Sequence, residues 1–376
     1  MKKFMENQTG HSAMVIIIAI VVVAALAVFY VLRVQKEEPI KIGSILTLSG
    51  SGEYYGKEAR DGMIMAVDEI NSWGGINGRK IELIIADSKT SPEEGKRAFN
   101  RIEADHHPLL YISTTSFVSV PLTSLSEASK VLLVGLTVAA PEFTEEKEWV
   151  FRYYQTAENE AAHMLLILEE LRVKDMGIMY SNEAFGTSVC ESLKERFEKT
   201  GGTVKKVALG MNEVDFRKQI AKLKDVEAIC IIGYEHHLEN AFKQLKRAKF
   251  EGDIIAGPAA SAPSVKGMPE ANGVYLAAPI VYNPNFLFAK KLKDKYEVIY
   301  NKPFNHFAAH AYDFIKLMAG LLEDKEVTRE SVKSVLEEGF IYPGVFGDLN
   351  VKRGQHDITF PFHAARIVDG EVKYLR

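Results

Sequence analysis

From residue 40 onward, apolar and polar positions alternate between two spacings. Ile40–Leu48 first alternates and then runs apolar, the pattern of a strand entering a core. Over Ala59–Ser72 the apolar residues Met63, Ala66, Val67 and Ile70 recur at three- and four-residue intervals, which predicts a helix. Trp73-Gly74-Gly75 supplies its stop. Ile81–Ala86 then reads as strand, Pro92–Ala104 as helix, Leu109–Ile112 as strand, Phe117–Ser129 as helix and Val131–Leu136 as a continuous apolar strand. Strands and helices that alternate over short connections predict an α/β unit whose parallel sheet is covered on both faces.

The rhythm restarts after about residue 158. Helical patterns at Ala161–Leu171, Ser188–Lys199, Phe216–Leu223 and His237–Ala248 are interleaved with strand patterns at Met176–Tyr180, Val204–Leu209, Ala228–Ile232 and Ile254–Ala256. Two doubly wound parallel-sheet lobes in series are therefore expected. Near the C-terminus three helical patterns follow one another (Asn285–Tyr300, His306–Leu322, Arg329–Glu338) before strand-like pieces return. Helices without intervening strands build no third α/β unit. They fit as cover on the existing lobes, so the chain must cross between lobes more than once.

The N-terminus breaks the pattern. Ser12–Leu32 contains no charged residue, and a helix of that length spans about 32 Å, close to a bilayer's hydrocarbon core of about 30 Å. Lys2 and Lys3 precede it, which places the body outside the cytoplasm. The expected layout is a short cytoplasmic tail at 1–11, a transmembrane signal anchor or signal peptide at 12–34 and a charged linker at 35–39. Ala25-Leu26-Ala27 would serve as a cleavage site but would leave Val28–Val34 exposed, and no cysteine lies nearby to carry a lipid. An uncleaved anchor is the favoured reading.

Composition narrows the function. Apolar residues at 47% and charged residues at 26% suit an ordinary globular body, and a net charge of −4 without any basic block argues against a nucleic-acid partner. The two cysteines, Cys190 and Cys230, lie in no metal-like spacing and read as free thiols. The glycines of Gly50-x-Gly52-x-x-x-Gly56 are one residue too widely spaced for the dinucleotide fingerprint. His306 and His310 are one helical turn apart but lack the glutamate of a metalloprotease motif, and no Gly-x-Ser-x-Gly elbow occurs. No metal, cofactor or catalysis is expected.

Beside these patterns stand residues that resemble the branched-chain amino-acid-binding proteins, a family of type I periplasmic binding proteins. They include Ile40-Lys41-Ile42-Gly43 with Leu48-Ser49-Gly50, Tyr55-Gly56, Asp68-Glu69-Ile70-Asn71, and above all Gly74-Gly75-Ile76-Asn77-Gly78-Arg79. Ala140-Pro141-Glu142, Gly233-Tyr234, Ala311-Tyr312-Asp313 and Gly344–Val351 extend the similarity from about residue 39 to the end. The resemblance implies a three-crossing hinge, with lobe 1 at 40–157 and 280–342 and lobe 2 at 158–279 and 343–376. It implies a protein that captures an amino acid or related small carboxylate by hinge closure and delivers it to the membrane subunits of an ABC importer. The location would be the cell membrane through the N-terminal helix, or the periplasm if the signal is cleaved. A membrane-anchored sensor of the same fold and a membrane-anchored α/β enzyme are the alternatives.

The resemblance also nominates a site. Ser116, in the loop Ser113–Ser116, would hold the ligand's carboxylate or cap its own helix. Thr137, Val138 and Ala139 match a second carboxylate-and-amine loop, although the family's threonine is replaced by Ala139; Thr137 could supply the missing hydroxyl. Phe185 and Tyr234 would shield the ligand from the second lobe, and Tyr55 would lie near its side chain. Ala259 stands where the family places an acid for the ligand's ammonium. The ligand is therefore expected either to lack a free amine or to be paired by Glu235 or Glu183, because an unpaired buried ammonium is strongly unfavourable.

Overall fold

The computed structural model describes residues 18–24 and 38–375. Most of the expected membrane segment at 12–34 lies outside the described residues. Residues 18–24 are helical, and among the described residues no helix is long and apolar enough to cross a membrane.

The first sheet comprises β1 (Ile40–Leu46), β2 (Ile81–Asp87), β3 (Leu110–Ser113), β4 (Leu132–Gly135) and β5 (Val150–Arg152). It is parallel throughout, in the order β2-β1-β3-β4-β5. Period-two alternation divides its side chains between two cores: Leu110 and Ile112 point into one, Tyr111 into the other. That is why the strands read as continuous apolar runs. Helix α1 (Glu53–Ser72) covers one face; α2 (Pro92–His106), capped by Ser91, covers the other.

The helix expected over Phe117–Ser129 is broken. It begins one residue earlier as α3 (Ser116–Ser119), tightens to a 3₁₀ turn at Val120–Leu122 and resumes as α4 (Thr123–Ser129). Pro121 explains the break, since it has no N–H to donate to the preceding turn.

The second lobe repeats the plan. After α5 (Ala157–Glu170) come β6 (Asp175–Ser181), α6 (Ala184–Lys199), β7 (Thr203–Leu209), α7 (Arg217–Lys222), β8 (Ala228–Ile232), α8 (Glu235–Arg247), β9 (Asp253–Ala256), the single turn α9 (Pro263–Lys266) and β10 (Tyr275–Pro279). Helices α10 (Leu287–Tyr300), α11 (His306–Leu321) and α12 (Arg329–Glu337) then pack into the core of the first lobe, followed by the hairpin β11 (Phe340–Gly344) and β12 (Gly347–Val351). Strands β13 (Phe362–Val368) and β14 (Glu371–Tyr374) finish the second sheet, whose order is β14-β13-β10-β9-β8-β6-β7, with β13 and β14 antiparallel.

The last crossing differs from the expected boundary at 342/343. The hairpin and the segment beyond it bury Phe346, Leu349, Val351, Ile358 and Phe360 in the first lobe's core, and the chain joins the second sheet only at Phe362. Buried Asp313 of α11 explains the capture. It accepts from Tyr153 Oη at 2.8 Å, Tyr342 Oη at 3.1 Å and the Val345 amide at 3.0 Å, which locks the hairpin onto α11.

Helices α1 and α11 meet at van der Waals limit. A Cβ at Gly62 would sit 2.2 Å from the Ala308 carbonyl oxygen, whereas one at Gly320, exposed near the end of α11, would meet nothing within 4 Å. Gly62→Ala should therefore destabilise the protein by about 1–3 kcal/mol through overpacking. Gly320→Ala should be neutral or stabilising by up to about 1 kcal/mol. Chemical denaturation of the two variants checks both signs; equal effects would contradict the packing described.

Candidate ligand-binding site

In each sheet the strand order reverses beside the first strand of its lobe, between β1 and β3 and again between β6 and β8, and such switch points create crevices at the carboxyl ends of strands. The loops leaving those ends converge on a cavity between the lobes. From lobe 1 it is lined by Thr115 and Ser116 after β3, Thr137 and Ala139 after β4, Tyr55 of α1 and Phe307 of α11. From lobe 2 come Glu160, Phe185, Tyr234, Pro258 and Ala259, and Tyr154 joins from the connection between them.

Of the expected site residues, Tyr55, Ser116, Thr137, Ala139, Phe185, Tyr234 and Ala259 are thus brought together. Val138 is not. Its side chain is fully buried in the core with Phe143 and Leu133, because alternation along the extended loop turns it away from its neighbours Thr137 and Ala139. Any contact it made there would be through backbone.

Ser116 does not cap its helix. Thr115 holds the cap position and offers no side-chain cap bond. Ser116 Oγ instead accepts the Ala139 and Ala140 amides at 3.1 and 3.2 Å. Both acceptor sites are used, so its proton remains for an acceptor such as a carboxylate. Thr137 Oγ1 likewise accepts the Thr115 amide at 2.8 Å and keeps its proton. Thr115 itself has φ +62°, costly for a β-branched residue, and its buried hydroxyl has no partner. The strain is held by the surrounding loops and leaves a hydroxyl beside the cavity.

Aromatic rings close the sides. Tyr55 meets Tyr234 across the lobes edge to face, with ring centres 5.6 Å apart, and packs on Phe307 at 4.8 Å; Phe185 stands 6.3 Å from Tyr234. Ser51 Oγ also reaches Asn212 Oδ1 at 2.7 Å, a further contact between lobes. The Tyr234 hydroxyl is buried without a partner.

The acids are distributed differently from the expectation. Glu183 is fully engaged: it accepts from Ser181 Oγ at 2.7 Å and from the Phe185 and Gly186 amides at 3.0 Å, capping α6. Glu235 lies beside the Tyr55 hydroxyl and lines an outer cleft with Lys57 and Arg60. The acid in the cavity is Glu160, which the motif comparison passed over. Its signal is visible in the helix pattern: α5 buries Ala157, Glu160, Ala161, Met164, Ile167 and Leu168, so a glutamate sits on an otherwise apolar stripe. Gly257 makes room for it, since a Cβ there would stand 2.4 Å from Glu160 Oε1. Glu160 is 1% exposed, and that oxygen has no hydrogen-bond partner. Burial pushes its carboxyl up to about 8 and, as the main cause, does the same to Glu235.

His306 and His310 are both buried and held neutral by burial. The Nδ1 of His310 pairs with the His306 carbonyl at 2.7 Å. Among the described residues no group of three or more His, Cys, Asp or Glu side chains is placed to hold a metal. Cys190 and Cys230 are buried free thiols.

The family described as periplasmic binding protein matches residues 39–371. A Leu/Ile/Val-binding protein of Rhizobium johnstonii is 27% identical over 354 residues, covering 88% of this chain and 94% of that one. A Leu/Ile/Val-binding protein homologue of Brucella melitensis is 28% identical over 223 residues; the match spans 58% of this chain and 61% of the relative's length. The crystal structure of a leucine-binding protein from Thermotoga maritima shares the fold with a TM-score of 0.83 at 22% identity, covering 90% of this chain and 98% of that one.

A pH dependence follows from the buried acids. Glu160 and Glu235 ionise near 4.5 when unfolded and near 8 when folded, so between those values the folded protein holds more protons. Their stabilising contribution is full below about 4.5 and falls as pH rises through 8, at up to about 1.4 kcal/mol per pH unit for each group. Above pH 7.5 Asp313, raised by burial to about 6, and the buried histidines, which gain a proton near 6.5 only when unfolded, have almost finished titrating. Melting temperature should therefore drop from pH 7.5 to 8.5, and Glu160→Gln or Glu235→Gln should each flatten the drop. A slope unaffected by either substitution would contradict the assignment.

Proposed function

Since this chain belongs to the periplasmic binding protein family, on the branch of the Leu/Ile/Val-binding proteins, we propose that it is the extracytoplasmic solute-binding protein of an ABC importer. The relatives it matches are binding proteins, not enzymes. It captures an amino acid or a related small carboxylate in the cavity between the lobes. The observation that carries this reading is the placement of that cavity: hydroxyls with free protons on one lobe face aromatic rings and an acid on the other.

In this reading Ser116 and Thr137 donate to the ligand's carboxylate, with Thr115 beside them. Phe185 and Tyr234 cover the ligand from lobe 2, and Tyr55 bounds its side chain. The hinge consists of three chain segments, near 153–157, 280–285 and 357–361. A ligand that contacts both lobes favours the closed arrangement by its differential affinity, and the closed form docks on the importer's membrane subunits. The apolar stretch at 12–34 directs the body across the membrane and tethers it there.

The test is a thermal-shift screen of the full-length chain in mild detergent against amino acids and small carboxylates, followed by calorimetry on the hits. A true ligand at a hundredfold excess over its Kd should add about 2.7 kcal/mol of stability. Ser116→Ala should weaken a carboxylate ligand by about 1.5–3 kcal/mol, roughly ten- to hundredfold in Kd. Stabilisation by no small solute would overturn capture and favour the sensor reading, in which the lobes serve a protein partner.

A further inference from the structure

The cavity holds one acid and no base. Among the described residues Glu160 is the only carboxyl on its lining, and no Lys, Arg or His lines it. Arg152 is committed elsewhere, donating to the Ala139 and Ala140 carbonyls and to Thr144, and Lys57 and Arg60 line the outer cleft with Glu235. Glu160 Oε1 is buried, without a hydrogen-bond partner. A buried carboxyl so placed needs either a proton or a cation supplied from outside.

Opposite it, lobe 1 presents protons and no charge. Ser116 accepts two amides and Thr137 one, each keeping its proton, and the Thr115 hydroxyl is unpartnered. A ligand that satisfies both walls carries an anionic group toward lobe 1 and a cationic group toward lobe 2. Ala259, on the neighbouring loop after β9, contributes only a methyl group to the same wall.

Resting on the capture reading above, we propose that Glu160 is the residue that reads a cationic amine on the ligand, taking over from α5 the charge pairing that Ala259 does not provide. The ligand is then a zwitterion, an amino acid with a free ammonium, and not its 2-oxo or 2-hydroxy counterpart. Because the carboxylate is held by lobe 1 and the ammonium by lobe 2, the amine is also the group that couples binding to closure. A deaminated analogue engages one lobe and leaves the other unsatisfied.

The proposal is tested on the full-length chain in mild detergent with matched pairs of probes: each aliphatic amino acid against its 2-oxo acid, by calorimetry and small-angle scattering. Expected in the wild type is at least about tenfold tighter binding of the amino acid, with contraction of the particle on adding it and none with the 2-oxo acid. In Glu160→Gln, an isosteric change, amino-acid affinity should fall at least about tenfold while 2-oxo-acid affinity stays within about twofold, which also reports that the variant is folded. Wild-type binding of 2-oxo acids as tight as that of amino acids overturns the proposal while leaving capture intact, and shows Glu160 to be a protonated donor. Unchanged amino-acid affinity in Glu160→Gln overturns it likewise. Binding of neither class overturns the capture reading, and this proposal with it. A wild type without that preference overturns the proposal even if the variant does not fold.

Discussion

Arg152 is the buried cation on which the cleft depends. It sits at the end of β5, where the chain leaves the first sheet, and its side chain has essentially no contact with solvent. Its guanidinium donates to the Ala139 carbonyl at 2.6 Å, the Ala140 carbonyl at 2.8 Å and Thr144 Oγ1 at 2.9 Å, and its Nε faces Asp357 at 3.0 Å. Desolvation of a charge this deep is expensive and is offset only where several acceptors are in place at once, a task suited to a planar fork of donors. One side chain thereby fixes the loop that lines the cavity and the segment by which the C-terminus returns toward lobe 2. The same carbonyl-bearing residues present their amides to Ser116, so the geometry at the ligand-facing hydroxyl is inherited from the cation behind it.

Asp313 does for the third crossing what Arg152 does for the first. It gathers Tyr153 from the hinge segment, Tyr342 and the Val345 amide, so the hairpin β11–β12 is bound to α11 and moves with lobe 1. The two buried charges lie on the same lobe and leave lobe 2 attached through chain connections, rings in contact and a few polar atoms. That division suits a molecule whose lobes are individually rigid. Ligand-dependent energy then resides in the cleft, where unpartnered polar atoms such as Glu160 Oε1, Thr115 Oγ1 and the Tyr234 hydroxyl are gathered.

Such a cleft is locally unfavourable by construction. A strained Thr115, a glutamate in an apolar stripe and hydroxyls without partners each cost stability that the two large cores must offset. Glu160 is accommodated only because residue 257 is glycine, which leaves space for the carboxylate where any side chain would stand. The site is thus assembled by features that a well-packed protein without a ligand would not retain.

The alternation of apolar runs and helical spacings was sufficient to determine two α/β lobes, most of their strands and the role of the C-terminal helices as cover, because burial on both sheet faces leaves a continuous apolar record in each strand. Loop residues with a family resemblance likewise pointed to most of the cavity wall. Short elements escaped: β5 is three residues long and carries Arg152, which masks its apolar character, and Pro121 divides a helix that spacing alone would join. Only the tertiary structure decided which lobe takes the β11–β12 hairpin, since a single buried carboxylate on α11 captures it. Only the tertiary structure turned Val138 inward, exhausted Glu183 as a helix cap and put Glu235 in the outer cleft. The position of Glu160 could be recognised from its helix as unusual, but not as part of the cavity, because the space it occupies is made by a glycine almost a hundred residues away and by a lobe it does not belong to.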